Sequence, residues 1–173
     1  MNDYPIVVEW TNLVFRWLHV VASVLWIGHL YFFNWVNAQL AKTYDADTKK
    51  KVVPELMPRA LYWFRWGAAY TWITGITLLI LLIYLGGAAV APEAKLGEGA
   101  VTAIGLAQLV VAWFVYDVLA KTVKNEKIAA TALFLLALGT AYGLSLFLTP
   151  RAVFIQMGSM LGTLMATNVW FRI

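Results

Sequence analysis

An all-α fold, a polytopic membrane bundle of five transmembrane helices, is what this sequence predicts, and three observations predict it. Hydrophobic residues fill 62% of the 173 positions and charged residues only 13%, against roughly 45–50% and about 25% in soluble domains. The mean hydropathy is +0.73. The apolar residues also gather into five runs separated by polar or Pro/Gly-containing segments, each near or above the ~20 residues that cross a bilayer as a helix. A soluble fold is excluded. Five such helices use most of the chain, so residues 1–173 read as a single integral membrane domain.

The first run, Trp10 to Leu40, corresponds to ~46 Å of helix, longer than a ~30 Å hydrocarbon core, so it tilts or projects. The segment AKTYDADTKKKVVPELMPR follows. It is polar and holds Pro54 and Pro58, each of which removes a helical hydrogen bond, and so predicts a loop with at most a short surface helix. A second span covers Leu61 to Leu85. The segment GGAAVAPEAKLGEG separates it from a third, Ala100 to Leu119, and a KTVKNEK turn leads to a fourth, Ile128 to Leu148. Thr149-Pro150-Arg151 ends that run, and a fifth fills Ala152 to Trp170. The first ten residues carry Asp3 and Glu9 and no basic residue, which argues against a cleavable signal peptide.

The net charge of +4 comes from lysines and arginines that flank the apolar runs and are not interleaved on one face. They read as topology signals and contacts to anionic headgroups, and no nucleic-acid partner is expected. Lys42, Lys49, Lys50, Lys51 and Arg59 follow the first span, and Lys121, Lys124 and Lys127 follow the third, against Lys95 and Arg151 on the other side. The richer side is cytoplasmic by the positive-inside rule, which sets the N-terminus out and the C-terminus in. Trp10, Trp35, Trp63, Trp66 and Trp170 lie near span ends, where amphipathic rings prefer the headgroup level.

There is no cysteine. Disulfides, thiolate metal sites, iron–sulfur clusters and covalently attached c-type haem are therefore ruled out for this chain. Any redox group must rest on His, Met, Lys or Tyr.

The stretch FRWLHVVASVLWIGHLYFFNWVN, Phe15 to Asn37, carries the candidate chemistry. Arg16, His19, Ser23 and Trp26 recur at intervals of three, four and three and so share one helix face. His19 lies ~13 Å along the axis from Trp10, and His29 is ~15 Å further and about 80° off the His19 face. Ionisable groups at such depth mark function by default. A neutral imidazole can ligate haem b iron while a nearby Arg neutralises a propionate, which makes His19 the metal ligand and Arg16, Ser23, Trp26 and His29 its candidate surroundings. These two histidines are the only ones in the chain and cannot clamp one haem from a single helix. A second ligand would come from Met157, Met160 or Met165, from a second protomer or from a partner, or there would be none. The alternatives are that both histidines donate interhelical hydrogen bonds with no cofactor, or that they serve a quinone or a proton relay.

Gly139-x-x-x-Gly143 and Gly158-x-x-x-Gly162 have the small-residue spacing that brings helix backbones together, and they predict the closest approach of the fourth and fifth spans, or a homodimer face. Gln108, Gln156 and Asn34 read as interhelical glue, Asp117 and Lys121 as a local ion pair, and Arg65 as a side chain reaching for the interface.

Two family resemblances follow. The run Arg16, Trp17, His19, Trp26, Ile27, Gly28, Tyr31, Phe32, Trp35, with PELMPRALYWFRWGAAYTWITG from Pro54 to Gly75, closely resembles the membrane domain of bacterial membrane-bound urate oxidases, the urate oxidase N-terminal family. That resemblance implies a multi-pass protein of the bacterial inner membrane, a role in electron transport and a c-type cytochrome as electron acceptor. In the family the cytochrome is a C-terminal extension. Residues 1–173 hold no C-x-x-C-H, and one reading is accordingly an enzyme of the urate oxidase type that borrows its cytochrome from a separate chain. His19 followed by Trp26 and Gly28 is similar, over a shorter stretch, to the first helix of haem-binding membrane protoporphyrinogen oxidases, which implies a haem ligand at His19.

Three readings stand open: a membrane subunit of an electron-transfer complex that binds haem b or docks a cytochrome, a urate oxidase-type enzyme using a separate cytochrome c, and a cofactor-free structural subunit.

The topology is testable with single cysteines at Lys50 and Lys95 and an impermeant thiol reagent on intact cells. Position 95 is expected to label and position 50 to be protected. The reverse pattern overturns the assignment.

Overall fold

The computed structural model describes residues 4–173, with side chains from residue 6 onward. Five helices account for the fold. Helix α1 (Tyr4–Tyr31) runs on through a π-helical stretch, Phe32–Asn37, and a last turn, Ala38–Leu40. Helix α2 (Ala46–Leu78) also ends in a π-helical stretch, Leu79–Tyr84. Helices α3 (Glu98–Thr122), α4 (Glu126–Ser145) and α5 (Pro150–Arg172) follow. Each is long and apolar enough to cross a membrane, and no strand occurs among the described residues. The all-α, five-span expectation holds, and the protein is a multi-pass membrane protein.

The segment expected to be a loop is instead mostly helix. Only residues 41–45 turn, and α2 starts at Ala46, passing through both Pro54 and Pro58. Local chemistry explains this. The Asp45 carboxylate accepts the Thr48 N–H at 2.7 Å and caps the first turn. Bonding to the Thr48 hydroxyl and then to its N–H holds the Asp45 carboxyl below its usual range. The prolines stand four residues apart, hence on one face. The carbonyls that lose donors belong to Lys50 and Pro54, and all of these positions are exposed, so solvent can serve them. Glu55 and Arg59, paired at 2.5 Å across the same turn, add to the helix.

The chain forms two compact units: residues up to Gly75 together with Ala166–Ile173, and Ile76–Met165. In the second unit Leu79, Ile83, Val101 and Leu148 are fully buried around an equally buried Gln156. Tyr84 donates its hydroxyl to Gln156 Oε1 at 2.8 Å, while Gln156 Nε2 donates to the Gly105 carbonyl at 2.7 Å and to Gln108 Oε1 at 2.9 Å. Gln108 Nε2 in turn donates to Met160 Sδ at 2.8 Å. The network joins the end of α2 to α3 and α5 and uses both amide donors of Gln156. The expected glue role of Gln108 and Gln156 is what the structure shows.

Loop 85–97 is tied to the α4–α5 connection. Ala91 N–H donates to Phe147 O at 3.0 Å, Thr149 N–H to Ala89 O at 2.9 Å and the Thr149 hydroxyl to Ala88 O at 2.8 Å. Gly87 begins that loop with φ of 68°, a left-handed conformation that favours glycine.

The expected close approach at Gly139, Gly143, Gly158 and Gly162 does not occur, because a Cβ added at any of them meets nothing within 4 Å. Tight contacts lie elsewhere. At Gly67 an added Cβ comes within 3.1 Å of the Trp26 backbone nitrogen, and at Gly105 it overlaps the Tyr84 hydroxyl. Gly-x-x-x-Gly spacing permits close packing, but which helix faces pack is settled by where partners for polar groups stand.

Replacing Gly105 by Ala is therefore expected to displace Tyr84 and destabilise the protein in detergent by about 1–3 kcal/mol, the cost of leaving a buried amide short of a partner. Gly158→Ala leaves the melting temperature unchanged. Equal melting of the two variants overturns this account.

Candidate functional site

The first unit contains the polar face of α1. His19, half-buried, turns its imidazole onto α2: Nδ1 lies 3.1 Å from the Thr71 carbonyl oxygen and 3.0 Å from Thr74 Oγ1. A carbonyl only accepts, so Nδ1 carries the proton. The Thr74 hydroxyl spends its own proton on the Tyr70 carbonyl at 2.7 Å, which turns its lone pairs toward the histidine. This fixes the Nδ1–H tautomer and leaves Nε2 with its lone pair. No hydrogen bond engages Nε2 among the described residues.

The ring has room because Gly75 lacks a side chain: a Cβ there would lie 3.0 Å from His19 Cε1. Two turns away on the same seam, Gly67 lets α2 approach the backbone of Trp26. The Thr71 hydroxyl donates to the Gly67 carbonyl at 2.8 Å, so the threonines satisfy themselves on their own helix while facing α1. Trp26 packs with Phe64, Ala68, Ala166 and Val169 in an apolar core, and its indole Nε1 is buried without a partner among the described residues.

The other sequence-derived candidates divide. Ser23 is half-buried on the same helix face, and Arg16, one turn before His19, is exposed. His29 does not join them, because its Nδ1 donates to the Leu25 carbonyl of its own helix at 2.8 Å. That bond links no helices, so the interhelical role foreseen for both histidines is found at His19 alone. Among the possible second ligands, Met160 is buried and its sulfur accepts from Gln108. Among the described residues no three His, Cys, Asp or Glu side chains gather as a metal site.

Asp117 and Lys121 form the expected ion pair at 2.5 Å. Arg65 is half-buried, with an Nε that lacks a partner among the described residues. Trp66 sits in an aromatic row on α2 with Tyr62 and Tyr70 at centroid distances of 6.3 and 5.4 Å, and meets Trp170 edge-on at 5.5 Å. Asn34 bonds its own helix, at the Leu30 carbonyl, rather than a neighbour.

Sequence reasoning missed Gly67, Thr71, Thr74 and Gly75. Their signal was present as small residues at helical spacing in WGAAYTWITG, on the face that α1 presses against.

Comparison with known proteins assigns the sequence to a family. No curated protein and no solved structure matches the chain. The sequence model described as urate oxidase N-terminal matches residues 5–173, nearly the whole length, and the chain thus belongs to the urate oxidase N-terminal family.

Proposed function

We propose that this chain is the integral membrane subunit of a bacterial electron-transfer assembly in the inner membrane, and that His19 holds haem b through Nε2. The observation that carries the reading is the double anchoring of His19 Nδ1 by Thr71 and Thr74. A ligating histidine characteristically donates its other ring N–H to a carbonyl or similar acceptor, which fixes the ring and raises its basicity. The donor set also fits. No three His, Cys, Asp or Glu side chains gather among the described residues to enclose a bare ion, whereas one histidine suffices for haem, whose macrocycle brings four nitrogens of its own.

When bound, haem supplies one-electron chemistry between ferric and ferrous iron. The residues of the chain do the rest. Thr71 and Thr74 hold the imidazole tautomer, Gly75 keeps the ring's seat open, and Arg16, one turn along the same helix, offers positive charge to a propionate. Electrons would pass from the haem to a redox partner of the c-type cytochrome class.

One observation favours a second reading. The His19–Thr71 bond ties α1 to α2, which is reason enough for a histidine in a cofactor-free structural subunit.

The absorbance spectrum and haem content of the purified protein separate the two. Wild type is expected to carry haem, His19→Ala to lose it, His29→Ala to keep it, and Thr74→Val to lose about half or more as the ring loses an anchor. Equal haem in wild type and His19→Ala overturns the ligand assignment, and a haem-free wild type leaves the structural reading.

A further inference from the structure

The polar positions of α1 extend beyond the site just described. At roughly 100° per residue, and relative to His19, Trp26 stands about 20° to one side, with Asn12, Ser23, Arg16 and Glu9 at about 20°, 40°, 60° and 80° to the other. Burial falls in nearly that order: Trp26 is 8% exposed, Asn12, His19 and Ser23 are half-buried, and Arg16 and Glu9 are exposed. The stripe therefore runs along the rim of the seam that His19 and Trp26 make with α2, opening outward at Arg16 and Glu9.

Two atoms on this stripe are buried with no hydrogen-bond partner among the described residues, the Asn12 carbonyl oxygen Oδ1 and the Trp26 indole Nε1. Their residues are separated by ~21 Å along the axis, about two-thirds of the ~30 Å hydrocarbon thickness. An unmet buried acceptor and an unmet buried donor each cost about 1–3 kcal/mol, and buried water is the ordinary partner of such groups. Arg16 points the same way. Charged side chains within a span characteristically face protein or a water-filled cavity, yet Arg16 is exposed.

We propose that this seam is a water-filled crevice running from the Glu9 end of α1 past Arg16 to Ser23, which connects one aqueous face with the His19 site. Water in it completes the hydrogen bonding of Asn12 and keeps the Arg16 guanidinium solvated. It also gives the site a proton route: a proton leaving or reaching His19's surroundings travels through water, with the exposed Glu9 carboxyl at the mouth. The crevice rests on the unmet Asn12 oxygen, the exposed Arg16 and the rim geometry and stands whether or not haem occupies Nε2.

The chain has no cysteine, so single cysteines report water directly, since a thiol reacts with methanethiosulfonate reagents only as the thiolate. Asn12→Cys and Ser23→Cys are to be compared with Val14→Cys, Val21→Cys and Val24→Cys, which stand exposed on the opposite face of α1. The reagent is a small cationic methanethiosulfonate, the membranes are opened by freeze–thaw so that both faces are reached, and labelling is read by mass spectrometry. Ser23→Cys is nearly isosteric and guards against misfolding. The crevice predicts modification at 12 and 23 at least about tenfold faster than at 14, 21 and 24. Ser23→Cys labelling no faster than Val21→Cys, or equal labelling at all five positions, overturns it. Haem content measured on the same preparations keeps the two proposals separately testable.

Discussion

A polar group buried within a membrane span must find its partner inside the protein, and in this molecule that constraint decides which helix faces meet. Gln156 is fully buried, and its carbonyl and both amide hydrogens are met by Tyr84, Gly105 and Gln108. Apolar contacts alone give little preference for one helix face over another, because lipid tails are as apolar as leucine. The amide supplies that preference: only one rotation of α3 and α5 aligns the Gly105 carbonyl and Gln108 with Gln156. Leu79, Ile83 and Val101 are buried in one core of the same unit.

His19 solves the same problem with one atom and leaves another free. Its Nδ1–H is met by α2, which fixes the ring, while Nε2 stays uncommitted. Gln156, by contrast, has no hydrogen-bonding capacity left on its amide donors. The difference between a saturated network and a half-saturated ring is what separates a structural polar residue from a candidate ligand in an otherwise similar setting. His29 shows that an unengaged Nε2 alone is not enough, because its ring is anchored only to the preceding turn and no second helix defines its position.

Glycine marks where helices come together, though not where spacing alone would put it. Gly67, Gly75 and Gly105 each sit opposite something that needs the space: the Trp26 backbone, the His19 ring and the Tyr84 hydroxyl. Gly139, Gly143, Gly158 and Gly162 face no such group, despite the more recognisable Gly-x-x-x-Gly pattern.

Composition and hydropathy by themselves determined that the chain is helical and crosses a membrane five times, because backbone hydrogen bonding in hydrocarbon leaves few alternatives to helices of that length. The 3.6-residue repeat also put Arg16, His19, Ser23 and Trp26 on one face, since that relation is internal to α1. Proline content misjudged the segment before Leu61: local penalties at Pro54 and Pro58 are outweighed when the freed carbonyls face solvent and Asp45 caps the helix. What only the tertiary structure decided are the relations between helices. Which ring nitrogen of His19 is bonded depends on Thr71 and Thr74, more than fifty residues away in sequence, and the seat of the ring depends on Gly75. No periodicity along one helix can specify the rotation of its neighbour, because that rotation is fixed by contacts between the two.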